Sequence, residues 1–185
     1  MKIILGSKSP RRQELLKQCH VNFEIDEAKI EEVVEQYDGP KDYVKQVATK
    51  KGEDVFFRHP DDLVICADTI VCLDQIILGK PKNQNEAKAM IQLISGKTHA
   101  VFTAVYLRKG NRKKVFVTKT KVTISKISQE DIDHYVMLDE PYDKAGAYAI
   151  QGFFGKYVKK INGDFYNVMG LPINRLSHEI KKFQK

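Results

Sequence analysis

Apolar and polar positions alternate along the chain with two different periods, and the switches between them outline the elements. KIILGS (2–7) is a short apolar run rich in isoleucine, which predicts a buried strand. PRRQELLKQC (10–19) follows as a helix, with Pro10 at its first position and Ser9 as its cap. NFEID (22–26) predicts a short strand, and Pro40 opens a second helix in which Tyr43, Val44, Val47 and Val55 recur near helical spacing, ending near His59-Pro60. DLVICADTIVCLDQIILGKP (62–81) reads as a buried strand that gives way after Asp68-Thr69 to a hairpin around Asp74-Gln75, so Asp68 is expected at or just beyond a strand end.

NEAKAMIQLISG (85–96) is an amphipathic helix stopped at Gly96. Two long β-rich stretches, THAVFTAVYLRKG and KKVFVTKTKVTIS, are joined at Gly110-Asn111. Ser128 to Asp131 forms a capping box for a helix through Met137, with Asp in place of the usual Glu or Gln. The stretch 140–172 then carries five glycines, a density that points to close backbone approaches. A last helix presents Ile173, Leu176, Ile180 and Phe183. Strands and helices mixed in this way predict one α/β unit, elongated and with a cleft.

The 185 residues suit one medium domain or two lobes sharing a core. A net charge of +7 raises the question of nucleic acid, because lysine and arginine neutralise phosphates in polymers and in nucleotides alike. The runs RKGNRKK (108–114) and KKFQK (181–185) read as a solvated loop and chain end, while the remaining basic residues alternate with acidic ones, so nucleic acid is not the expected partner. Cys19, Cys66 and Cys72 form no CxxC pair, which favours free thiols in a reducing cytoplasm over zinc or disulfides. No window approaches the roughly 20 apolar residues of a membrane span.

Candidate chemistry begins at the first turn. A helix N-terminus offers unpaired N–H groups and partial positive charge. Ser7 and Ser9 add hydroxyls beside it, and Arg11 and Arg12 add planar forks suited to phosphate. The same residues also make an ordinary capped helix, and this stretch alone leaves both readings open. P-loop and Rossmann glycine patterns are absent, and the five histidines show no metal-ligand spacing. Asp68, following the apolar LVICA, is either a rigidly held carboxylate or a turn residue. Glu31-Glu32 could add oxygen ligands for a hard divalent cation. Lys80 in LGKP and Lys144 in DKAGAY sit among Gly and Pro residues that fix their loops, whereas Lys51 is a helical lysine that only a spatial partner would single out.

Taken in order, SKSPRRQELL (7–16), EE (31–32), ADTIV (67–71), LGKP (78–81), SGKTHAVFTAV (95–105), EPYDKAGAYAIQG (140–152) and INGDFYNVMGLP (161–172) resemble the Maf family of nucleoside triphosphate pyrophosphatases, also described as septum-formation inhibitors. The resemblance covers nearly the whole chain. It implies a single Maf/ITPase-like α/β domain over residues 1–185, elongated, with a mixed, strongly twisted sheet flanked by helices and two lobes around a central cleft. It also implies house-cleaning hydrolysis of a nucleoside triphosphate to the monophosphate and pyrophosphate, a divalent cation (Mg2+ or Mn2+), a homodimer and a cytoplasmic location.

Residue by residue, the resemblance makes Asp68 the proton acceptor, Ser7, Arg12, Lys51 and Lys80 the phosphate-binding groups, and Glu32 with Asp68 the acidic groups near the metal. The forms SxSPRR, ADT and AYxIQG are similar to the branch acting on dTTP and UTP, with Arg11, Thr69 and Gln151 at its specificity positions. Ala149 stands where glycine is usual, and GFFGKYV is more aromatic than the common version, departures that bear on the base pocket. The competing readings are a purine or 7-methyl-GTP pyrophosphatase, and a non-catalytic protein that binds nucleic acid or regulates division.

Overall fold

The computed structural model describes residues 2–184. Strands β1 (Ile3–Leu5), β2 (Glu24–Ile25), β3 (Leu63–Leu73), β4 (Ile76–Leu78), β5 (Thr98–Lys109), β6 (Arg112–Ile124) and β7 (Val158–Asn162) form one sheet among the described residues. Hydrogen-bonded neighbours run in the order β2, β1, β3, β5, β6, β7, with β4 paired to β3. The sheet is mixed. β1 lies parallel to both β2 and β3, pairing Ile4 with Glu24 and Val64, whereas β4 and β7 run antiparallel to β3 and β6. Helices α1 (Pro10–Lys17), α2 (Pro40–Arg58), α3 (Gln84–Ile94), α4 (Gln129–Tyr135), α5 (Phe165–Met169) and α6 (Ile173–Gln184) complete the α/β chain.

The chain divides into two compact units. Among the described residues the first comprises 2–69, 103–118 and 170–184. In its core Ile4, Val64 and Cys66 from the sheet pack with Val55 of α2 and Tyr106 of β5. Both faces of β1 and β3 are covered, which explains their nearly unbroken apolar runs. Gly52 of α2 lies directly against the Tyr106 ring, where an added Cβ would stand 2.2 Å from a ring carbon. Arg108 and Lys113 both pair with Glu53, so the basic β5–β6 connection is tied to α2 rather than merely solvated.

The second unit comprises residues 70–102 and 119–169. Its core joins Ile91 and Ile94 of α3, Val101 of β5, Val122 of β6 and Tyr135 of α4 to Tyr148 and Phe154. Asn83 caps α3 by accepting the Glu86 N–H. Ser128 accepts the Asp131 N–H at the start of α4, as the capping box predicts, and the helix ends in a turn after Tyr135. Asp74 and Gln75, both with left-handed φ, close the β3–β4 hairpin.

Two local expectations need correction. Asp68 does not end a strand: β3 continues for five residues beyond it, because Ile70, Val71, Cys72 and Leu73 remain buried and extended. Ser9 occupies the N-cap position of α1, but its side chain makes no capping hydrogen bond. The Ser7 hydroxyl accepts the Ser9 N–H instead, at 3.3 Å.

Candidate active site

The site in the first unit grows from three elements. β3 holds Asp68 in mid-strand, α2 projects Lys51 toward it, and the β1–α1 turn brings in Ser7 and Arg12. Asp68 is 8% exposed, and a carboxylate buried to that degree must be paired to remain charged. Its partner is the Lys51 ammonium, 2.7 Å from Oδ1. The same ammonium lies 2.7 Å from Oε1 of Glu32, whose side chain is 59% exposed. Lys51 thus bridges a buried carboxylate and an exposed one, and with two of the three ammonium N–H groups so used, one is left to bind an anion.

Arg12 is immobilised by this chain's own oxygens. Its Nε donates to the Gly170 carbonyl at 2.9 Å, Nη2 to Thr69 Oγ1 at 3.0 Å and Nη1 to Ser7 Oγ at 3.4 Å. The Thr69 and Thr103 hydroxyls lie 2.9 Å apart, which fixes the Thr69 oxygen in turn. Of the five guanidinium N–H groups, two remain for a ligand. Burial lowers the Arg12 pKa, and nearby Asp68 opposes that shift. The Ser7 hydroxyl accepts from both Ser9 N–H and Arg12, so its own proton is what it can offer a ligand. Beneath these groups burial pushes the Cys66 thiol up to about 12, so it stays neutral. Tyr43 also has its pKa raised, by burial first and then by Asp68 and Glu32.

Six of the sequence-derived residues therefore fall into two contact groups, Ser7–Arg12–Thr69 and Glu32–Lys51–Asp68, which meet where Asp68 and Thr69 are neighbours on β3. Arg11 stands beside Arg12 in the first turn of α1 and is half-buried. Lys80 and Gln151 belong to the second unit, and both are exposed. Lys80 follows β4, where the Gly79 carbonyl accepts the Gly146 N–H at 3.0 Å and pins the loop. Gln151 occupies a turn closed by Gly152 N–H donating to the Ala149 carbonyl. Lys144 is aimed locally, donating to the Glu140 carbonyl at 2.9 Å. Thr103, Tyr43 and Gly170 were not singled out by sequence. Thr103 sits inside the SGKTHAVFTAV block, and Gly170, with φ of 110°, belongs to the glycine-rich stretch where close backbone approach was expected.

Among the described residues no three His, Cys, Asp or Glu side chains are grouped to hold a metal ion. The pair Asp68 and Glu32 supplies hard oxygen donors around a position now filled by an ammonium. That chemistry suits a divalent cation that also takes phosphate oxygens and water. No helix among the described residues is long and apolar enough to cross a membrane.

Comparison with known proteins places this geometry in context. Proteins from Bacillus cereus, Bacillus cytotoxicus and Bacillus anthracis, each named dTTP/UTP pyrophosphatase, are 47% identical over 182 residues, covering 98% of this chain and 95% of theirs. Among solved structures, Ham1 proteins from Staphylococcus aureus and Coxiella burnetii superpose with a TM-score of 0.54 over 98% of this chain and 99% of theirs. At 12% and 10% identity that likeness is one of fold. The family model described as Maf-like protein matches residues 2–183, and the chain belongs to the Maf-like family.

Proposed function

We propose that this protein hydrolyses dTTP and UTP to the nucleoside monophosphate and pyrophosphate. The observation that carries the reading is the Lys51 ammonium held between Asp68 and Glu32 beside an immobilised Arg12. The names of relatives 47% identical over nearly the full chain supply the substrate class.

Water attacks the α-phosphorus, the bond from that phosphorus to the bridging oxygen breaks, and pyrophosphate departs with the bridging electrons. Asp68 accepts the proton released by the attacking water. Developing charge on the leaving group meets the remaining N–H groups of Arg12 and Lys51 and the Ser7 hydroxyl, and the family resemblance adds Lys80 to the phosphate-binding groups. Such groups stabilise a transition state most when they are already fixed, as Arg12 is by its three oxygen partners. Asp68 and Glu32 would hold Mg2+ or Mn2+, which when bound neutralises phosphate charge and acidifies water. No covalent enzyme intermediate is needed.

Gln151 pairs its amide with the O4 and N3–H of thymine or uracil, and Arg11 and Thr69 support that choice of base. Thr69 does so through Arg12, since its hydroxyl is bound to that guanidinium. The family resemblance further supports a homodimer acting in the cytoplasm, with nucleotides rather than nucleic acid as partners. Pyrophosphate release from dTTP, UTP, dCTP, dATP, dGTP and 7-methyl-GTP with magnesium tests the reading. Fast release from the first two supports it; a purine preference, or salt-sensitive nucleic-acid binding without turnover, overturns it.

A further inference from the structure

We infer that Glu140 is a positioning residue for base selection, acting by holding the turn that carries Gln151. This deepens the proposed function and rests on the base-reading role given there to Gln151. Every contact in the argument lies within the second unit.

Glu140 is half-buried, and its carboxylate is a hub of three hydrogen bonds. Oε2 accepts the Phe153 N–H at 2.8 Å. Oε1 accepts the Phe154 N–H at 3.1 Å and the Tyr135 hydroxyl at 3.0 Å. Phe153 and Phe154 begin the 3-10 turn at Phe153–Tyr157, whose opening N–H groups have no partner within the turn itself. The carboxylate therefore caps, from 13 residues upstream, the segment that begins two residues after Gln151.

Gly152 gives an independent sign of how closely this cap is seated. A Cβ there would stand 2.0 Å from Glu140 Oε2 and 2.5 Å from its carboxyl carbon, so any other residue must displace the carboxylate from its present seat. On the other side, Phe154 is fully buried against Tyr135 and Tyr148, with ring centroids 5.1 and 4.8 Å away. The segment after Gln151 is thus anchored by a core ring and clamped by a carboxylate, while Gln151 itself is exposed. An exposed amide can discriminate between bases only if its backbone is held, because an amide free to swing can satisfy either donor–acceptor pattern.

The test compares kcat and KM for dTTP, UTP and dCTP in the wild type, E140Q, G152A and Q151A, and in the double variant E140Q/Q151A. E140Q keeps an oxygen for Tyr135 and Phe154 but turns an amide toward the Phe153 N–H. G152A displaces the carboxylate without changing it. The inference expects both to lower the dTTP-over-dCTP preference in kcat/KM about tenfold, mainly through KM, and E140Q to add nothing to Q151A. Unchanged preference in both variants, equal losses on all three nucleotides, or an E140Q effect that adds fully to that of Q151A would overturn it. If one variant fails to fold, the other decides. A wild type without preference for dTTP and UTP overturns the proposed function instead, and normal preference in Q151A overturns the role of Gln151 and this inference with it.

Discussion

His99 should give the protein a measurable loss of stability between pH 6.5 and 4. It lies on β5 in the core of the second unit, 2% exposed, with Nε2 2.7 Å from the Tyr148 hydroxyl and its buried Nδ1 without a partner. Burial lowers its pKa from 6.5 to about 4. The folded state therefore keeps the imidazole neutral over a range in which the unfolded chain takes up a proton. Stability from this source is fully present above pH 6.5 and is lost as pH falls toward 4. At 1.36 kcal/mol per unit of pKa difference, the loss reaches about 2 kcal/mol at pH 5 and about 3 kcal/mol at pH 4.

Urea denaturation of the wild type and His99→Gln at pH 7, 6, 5 and 4.5 measures the effect. Glutamine has no ionisable group, so the variant, less stable at pH 7, should lose less on acidification and close most of the gap by pH 4.5. Asp26, whose pKa Arg58 and His59 lower to about 2, gives up its own contribution only as pH falls from 3.8 toward that value, outside the window tested. Parallel pH profiles for the two proteins would refute the assignment.

Two further perturbations probe the frame of the site. Gly52→Ala drives a methyl group into the Tyr106 ring and should cost about 1–3 kcal/mol, read as a lower urea midpoint at unchanged slope. Lys51→Met leaves the Asp68 carboxylate buried without its ammonium, and should cost about 3 kcal/mol at pH 7, much of it recovered in Lys51→Met/Asp68→Asn. Equal stability of the single and double variants would show that the unpaired Asp68 carboxylate is not the source of the loss.

Sequence alone made the strand, turn and helix at the start of the chain legible, because Pro10 and the apolar KIIL carry that signal locally. Lys51 was not legible as a site residue from its helix. Its partner Asp68 is 17 residues away, and only packing of α2 on β3 brings the two to 2.7 Å. Only the ordered resemblance singled it out. Asp68 was misplaced at a strand end because aspartate ordinarily breaks a strand, and nothing local reveals that an ammonium compensates it in the middle of one. The Ser9 hydroxyl failed as a cap for a related reason. The neighbouring Ser7 hydroxyl, itself bonded by Arg12, takes the Ser9 N–H and makes the turn part of the site.

The central claim is that the cluster around Asp68 splits a pyrimidine nucleoside triphosphate. The most direct measurement is the rate of pyrophosphate release from saturating dTTP by the wild type and by Asp68→Asn, with thermal unfolding confirming that both are folded. The account predicts rapid release by the wild type and a loss of about a hundredfold or more in the variant. Near-normal turnover by folded Asp68→Asn would contradict it.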